Sequence, residues 1–566
     1  MAESKPLNLL DLSFVLIETR QTPMYLAGLQ TFVPPADAPR DFPKQVYEYL
    51  RRFPVTTPPF NYVLRGIGAG RLLPSFEVAD KVDLDYHLRH SALPYPGGER
   101  ELGMVVSRLH SNAMDLDRPL WEIHLIEGLH GGRFALYAKL HHSLADGVSG
   151  VGMLNYSDDP ATSETPPVWA ATRPASATTA REGALSPGTF GAFGQVSAAV
   201  LNQARALPDL FRGLLGTAQA AIGLKPDPEF ASLAEAPRTM FNVNVTPQRR
   251  VATQSTPLVR LKRIGEAAGG SVNDVLLAAC SAAMRRYLIE HDALPERTLI
   301  ASVPVALPRD ITQPGGGGNA VSFANVRLGT DVEDVRARFE IIRRSSTVGR
   351  EYLKHMSQTA LIGYTVLISS PQMLTRVPAI GARVPPIYNV IISNVPGPRA
   401  KLYFLGAQME AYYPISALAH GQALNVTVLS YAGGLYFGFT GCAERVPHLQ
   451  RLAVYTGEAI DELERTFLAP SSEAATRATG AAGRAAPRSR RKVARVGVAA
   501  VTRKPKAPRP TKPATASSRA ARTVSRAAKD AARVPKPRGP EAAAAAAAVD
   551  VAPRKRGRRP RSSTTA

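Results

Sequence analysis

One stretch of this chain leaves its backbone little choice. Arg133-Phe134-Ala135-Leu136-Tyr137-Ala138-Lys139-Leu140 has the length and pattern of a strand, and it runs straight into His141-His142-Ser143-Leu144-Ala145-Asp146-Gly147. Successive side chains on a strand point to opposite faces. Phe134, Leu136, Ala138 and Leu140 therefore share one apolar face, which His142 continues if the strand reaches so far. His141 falls with Ala135, Tyr137 and Lys139 on the other face. Asp146-Gly147 then breaks the strand, and from Gly147 a helix can open through Val148, Val151 and Leu154. The pattern aims one imidazole into the protein at a strand end, beside a carboxylate. A neutral imidazole near pH 7 is well suited to take a proton from a hydroxyl or thiol. The alternative is two histidines closing a strand, with Asp146 only making the turn.

Charge divides the chain in two. The net charge is +23, a value expected of a nucleic-acid binder, yet residues 471–566 hold 25 Lys+Arg against 4 Asp+Glu. The first 470 residues are thus close to neutral. The tail is Ala, Pro, Arg and Lys without aromatics, including Lys504-Pro505-Lys506 and Arg554-Lys555-Arg556-Gly557-Arg558-Arg559. Such a segment buries too little apolar surface to offset the entropy of ordering, so disorder is expected, with phosphates of nucleic acid or anionic lipid as its partners. Cys280 and Cys442 are the only cysteines and suggest neither a disulfide framework nor a zinc site. Residues 1–20 lack the marks of a signal peptide, and no stretch has the ~18–20 apolar residues needed to span a bilayer. The expected location is cytoplasmic, with peripheral attachment to the inner membrane face or to lipid inclusions left open.

In order, residues 1–157 read as mixed α/β. A strand is expected at Gly28–Val33, helices over 42–53 and 101–116, and a strand at Ile123–Ile126 after Pro119-Leu120-Trp121. His87 and His90 lack a third ligand at a sensible spacing, so no metal is expected. Residues 158–189 are rich in Pro, Ser, Thr and Ala and read as a linker. Apolar residues at helical spacing over 190–235 suggest a helical crossover, packed on the body or lying in a membrane interface. A second α/β portion covers 236–470. Ser271 N-caps a helix there with Asp274 in the capping-box position, and strands are expected at Leu299–Val305 and Tyr388–Val395. A hairpin turns at Ala432-Gly433-Gly434, and a helix over 446–467 closes the portion.

Together these segments resemble the bacterial wax ester synthase/acyl-CoA:diacylglycerol acyltransferase family, within the CoA-dependent acyltransferase superfamily. The resemblance runs from about Leu7 to Leu468. It rests on Leu12-Ser13-Phe14 with Thr22-Pro23-Met24, Asp85-Tyr86-His87 to His90, Arg118-Pro119-Leu120-Trp121-Glu122, the HHxxxDG motif of His141 to Gly147, Val272-Asn273-Asp274-Val275 and Ser393-Asn394-Val395-Pro396-Gly397-Pro398. The chain departs from the family pattern at Pro304–Arg309 and at Ala320. The resemblance implies a mixed α/β fold of two chloramphenicol-acetyltransferase-like subdomains with a channel between them. It also implies fatty acyl transfer from acyl-CoA, as substrate and not cofactor, to diacylglycerol or a long-chain alcohol. His142 would be the general base, with His141 and Asp146 beside it. Gly147, Pro119, Leu120 and Trp121 would support the motif, as would Asn273 and Asp274, for which a helix-cap role is an equal reading. No covalent acyl-enzyme is required. The alternatives are another acyltransferase or condensation-type enzyme of the superfamily, or a non-catalytic lipid-inclusion or DNA-bridging protein.

Overall fold

The computed structural model describes residues 4–7, 9–66, 74–144, 154–171, 231, 235–306, 321–354, 364 and 385–469. Asp146 and Gly147 of the motif, Ala320, nearly all of the 190–235 crossover and the 471–566 tail lie outside these residues.

The N-terminal part runs β1 (Ser4–Pro6), α1 (Leu9–Ile17), β2 (Tyr25–Val33), α2 (Phe42–Arg51), β3 (Tyr62–Arg65), β4 (Ser75–Val78), α3 (Leu84–His87), β5 (Leu88–Ala92), α4 (Glu99–Ser111), β6 (Trp121–Glu127) and β7 (Phe134–His141). After residue 235 come β8 (Arg249–Pro257), α5 (Leu258–Ala268), α6 (Val272–Glu290), β9 (Ile300–Ala306), β10 (Val321–Arg327) and α7 (Val335–Lys354). The chain continues with β11 (Val390–Pro396), β12 (Tyr403–Phe404), β13 (Ala407–Ile415), β14 (Leu424–Tyr431), β15 (Gly434–Cys442) and α8 (Gln450–Leu468). The mixed α/β class follows directly.

The first six-stranded sheet has the order β12-β13-β2-β7-β6-β5, the second β10-β9-β11-β14-β15-β8, and β1-β4-β3 form a small third sheet. Residues 236–470 do not therefore build one subdomain by themselves. β12 and β13 cross over to complete the first sheet, β13 pairing antiparallel with β2 from Gln408↔Val33 to Ile415↔Ala27. Sequence periodicity marks a strand without naming its neighbour, and this neighbour lies some 380 positions away. Residues 158–171 also depart from the linker reading. Trp169 is fully buried, with its ring stacked 5.5 Å from that of Trp121, and its indole N–H donates to the Phe53 carbonyl at 3.2 Å.

Alternation explains the first sheet's two cores. Phe32, Phe134, Leu136, Trp121, Ile123 and Leu125 pack with Val46, Tyr49 and Leu50 of α2. Ala27, Leu29, Ala135, Tyr137 and Ile126 pack on the other face with Leu102, Val105 and Val106 of α4. With both faces covered, β7 shows no solvent side. In the second sheet, Val426 and Val428 of β14 face the α5, α6 and α8 core, whereas Leu429 and Tyr431 join the first sheet's core. The two sheets meet closely: a Cβ added at Gly438 of β15 would lie 1.6 Å from the Pro414 carbonyl oxygen of β13. No single helix among the described residues is long and apolar enough to cross a membrane.

Candidate active site

Strand β7 ends at His141, paired with Tyr25 at the start of β2. His142 lies one residue beyond, so the strand does not extend far enough to carry its side chain on the apolar face. The backbone still alternates. The His141 N–H donates to the Leu120 carbonyl at 2.9 Å, on the β6 side, and the His142 N–H to the Met24 carbonyl at 2.8 Å, on the β2 side. The Leu144 N–H then donates to the His141 carbonyl at 2.9 Å. This closes a β-turn with His142 and Ser143 at its centre.

The two imidazoles differ sharply in surroundings. His141 has no exposed surface. Its Nε2 lies 3.0 Å from Glu18 Oε2, and its Nδ1 accepts the Ser143 backbone N–H at 3.1 Å and sits 2.6 Å from Ser143 Oγ. The inward-pointing imidazole is therefore His141 and not, as the alternation suggested, His142. The His142 ring is half-buried. It stacks on Phe14 of α1 with centroids 3.8 Å apart and planes within 16°. Phe14, with Ala417, packs against Ile17, Met24 and Ala419, so the segment after β13 also reaches this corner.

The Pro119-Leu120-Trp121 segment supports the turn through its backbone and its packing. The Leu120 carbonyl holds His141, and its side chain is buried with Leu144, Val15, Leu64 and Phe76. The Trp121 indole N–H donates to the Phe60 carbonyl at 2.7 Å, and its ring stacks on His87 at 4.5 Å. His87 Nδ1 donates to the Trp121 carbonyl at 2.7 Å, and His90 Nε2 lies 3.1 Å from Glu127. These two histidines thus face different partners. No group of three or more His, Cys, Asp or Glu suited to a metal occurs among the described residues.

Beneath the turn, Lys139 is wholly buried. Its ammonium reaches Glu122 at 3.1 Å and the carbonyls of Leu109 and Asn112 at 3.1 and 3.0 Å. Burial lowers the Lys139 pKa, while Glu122 raises it. For Glu122, burial favours the neutral acid. The hydrogen bond from His124 and the Lys139 charge outweigh that effect and hold the carboxyl near about 2. Glu122 is therefore ionised, and its charge offsets part of the cost of burying Lys139.

Asp274 is occupied at the start of α6. Its Oδ2 accepts the Ser271 N–H at 2.8 Å and the Ser271 hydroxyl at 2.7 Å, and its Oδ1 accepts the Ser346 hydroxyl. This is the capping box expected from the sequence, with a tie to α7 added by the fold. Asn273 is half-buried in the same first turn. Burial pushes the Cys280 thiol up to about 12, so it is not a ready nucleophile. Cys442 is buried too, with the Thr246 N–H 3.4 Å from its Sγ. Sequence reading missed Glu18 and Ser143. The signal available for Glu18 was its place between the Leu12-Ser13-Phe14 and Thr22-Pro23-Met24 segments.

Comparison with known proteins identifies the family. The wax ester synthase/diacylglycerol acyltransferase catalytic domain model matches residues 7–276, and the C-terminal domain model of the same family matches residues 317–464. A Mycobacterium tuberculosis protein bearing a diacylglycerol O-acyltransferase name is 40% identical over 487 residues, covering 80% of this chain and 96% of its own. The O-acyltransferase WSD of Acinetobacter baylyi is 35% identical, covering 81% and 97%. The solved wax ester synthase/diacylglycerol acyltransferase of Marinobacter aquaeolei VT8 superimposes with a TM-score of 0.64 at 36% identity, over 82% of this chain and 99% of that one. The two family models together span both halves of the fold and include the histidine turn, and the chain belongs to the wax ester synthase/diacylglycerol acyltransferases.

Proposed function

We propose that this acyltransferase moves a fatty acyl group from acyl-CoA to diacylglycerol, a long-chain alcohol, or both, with His142 as general base. The observation that carries the assignment is the difference in accessibility between the adjacent rings. Both nitrogens of His141 are engaged by Glu18 and Ser143 in a fully buried setting. The His142 ring, stacked on Phe14 at the centre of the turn, is half-buried and so the more accessible of the two. In the proposed step His142 takes the acceptor hydroxyl's proton as the oxygen attacks the thioester carbonyl. The tetrahedral intermediate collapses with loss of the CoA thiolate, which receives that proton from the imidazolium. No thiol acyl-enzyme forms, in keeping with the buried Cys280. Asp146 shapes the site, Gly147, Pro119, Leu120 and Trp121 support the motif, and Asn273 and Asp274 act through the α6 cap. No metal or cofactor takes part.

The acceptors are lipids, so the enzyme works at a membrane or lipid-inclusion surface, attached peripherally. The basic tail adds affinity for polyanions, DNA before anionic lipid on the strength of its histone-like composition. Palmitoyl-CoA supplied with diacylglycerol and hexadecanol in competition reads the acceptor preference from the ester products. In the same assay His142→Ala should lose about 10²–10⁴ in rate and His141→Ala less. A dead His141 variant beside a near wild-type His142 variant would reverse the assignment.

A further inference from the structure

The segment from α1 to β2 grips the histidine turn at three points. Phe14 stacks on the His142 ring, the Met24 carbonyl receives the His142 N–H, and the Glu18 carboxylate reaches His141. Between the last two, Thr19 and Thr22 exchange backbone hydrogen bonds, and the Thr22 hydroxyl donates to the Ile17 carbonyl at 3.2 Å. The Glu18 side chain is only 10% exposed, and it meets a ring with no exposure at all.

The proton on that ring is constrained. A backbone N–H can only donate, so the Ser143 N–H at 3.1 Å requires a lone pair on His141 Nδ1. The proton must then sit on Nε2, where it points at Glu18 Oε2. The Ser143 contact also closes the backbone across His142, the residue between them. Without an acceptor at Glu18, the buried Nε2–H has no partner and the opposite tautomer becomes competitive. That tautomer sets Nδ1–H against the Ser143 N–H and opens the turn.

We propose that Glu18 is a positioning residue: by fixing the tautomer of His141 it holds the turn that presents His142 to substrate. The proposal rests on the reading of His142 as the base. Glu18 need not touch substrate, and its contribution is an acceptor oxygen and not a negative charge. A side chain of similar shape with an acceptor oxygen therefore suffices, and one without it does not.

The test compares Glu18→Gln with Glu18→Met in the full-length enzyme, assayed with palmitoyl-CoA and each acceptor, with folding checked by circular dichroism and thermal melting. Glu18→Met should lose about 10- to 100-fold in kcat, the usual effect of a lost supporting contact or an ångström-scale misplacement, with KM for both substrates within about threefold. Glu18→Gln should recover most of that loss. Combining Glu18→Met with His141→Ala should add little to His141→Ala alone, because both changes act through one ring. Folded Glu18→Gln as impaired as Glu18→Met, or losses that multiply in the double variant, would overturn the proposal. If His141→Ala does not fold, the Gln and Met comparison decides by itself. Full activity in His142→Ala would remove the base assignment alone, since the coupling of Glu18 to His141 is read from the cycle independently.

Discussion

Burial governs the ionisable side chains around β6 and β7, and its sign can be read in solution. His110, fully buried with Nδ1 2.8 Å from the Tyr137 hydroxyl, is lowered to about 3, chiefly by desolvation and then by the charge of Lys139. His87 is lowered by burial as well. Each folded value lies below the ordinary histidine value of about 6.5, so the unfolded chain takes up protons that the folded chain refuses as pH falls. Glu122 acts in a lower window. Its contribution is present above the usual carboxyl range and is lost as pH falls toward about 2. Stability should therefore decline from about pH 6.5 downward, by about 1.4 kcal/mol per pH unit for His110, with His87 adding in the same direction. His110→Gln should flatten the fall in urea midpoint between pH 6.5 and 5, and an unaltered slope in that variant would show that His110 is not the group responsible. The histidine motif itself was legible in the sequence, but the partners that separate its two rings were not. Glu18 and Ser143 are ordinary polar residues until the fold sets them 3 Å from an imidazole.

Among the elements, β8 shows how an edge strand is finished by another layer. It closes one side of the second sheet, and among the described strands it pairs with β15 alone. Two serines of α4 meet its outer edge: Ser107 Oγ accepts the Val251 N–H at 2.9 Å, and Ser111 Oγ accepts the Arg249 N–H at 2.8 Å. The buried Arg249 guanidinium also donates to the Gln21 carbonyl at 2.8 Å, tying β8 to the segment that carries Glu18 and Met24. Ser107→Ala should leave a buried N–H without a partner and cost about 1–3 kcal/mol, measured by denaturant unfolding. A variant as stable as the parent would mean that water or a shift of α4 replaces the hydroxyl. Sequence periodicity foresaw α2, α4, β6, β9, β11, the β14–β15 hairpin and α8 to within a few residues, because each carries its own alternation, cap or turn. It did not foresee β8, β13 or α7. Polar and apolar residues mix in these elements according to what packs on them, so their local patterns are weak.

At the scale of the whole molecule, the near-neutral body and the +21 tail point to separable activities. Deleting residues 471–566 should leave catalysis on dispersed substrate close to that of the full chain, since both family domains end before residue 470. The same deletion should strongly weaken binding to duplex DNA and to anionic liposomes. Binding by the full chain should fall steeply with salt through counterion release, with little preference for DNA sequence. The check is a salt titration of both forms against both polyanions. Identical curves for the two forms would assign the tail some other role.

Much of this protein was written locally. A strand of alternating apolar residues, a capping serine three positions before an aspartate, a glycine pair between two strands and a histidine pair ahead of Asp-Gly each act through neighbours within a turn or two. Such features fixed the mixed α/β class and the place of the motif before any contact was known. Other properties depended on residues far apart in sequence. Alternation sorts side chains into two faces, but when helices cover both it cannot tell which face is deeper, so the burial of His141 beside Glu18 waited on the placement of the residues that follow α1 at the end of β7. The pairing of β13 with β2 likewise depended on which strand edge was left open once the chain had crossed between sheets. Backbone hydrogen bonds are alike in every strand, and only the assembled core distinguishes one partner from another.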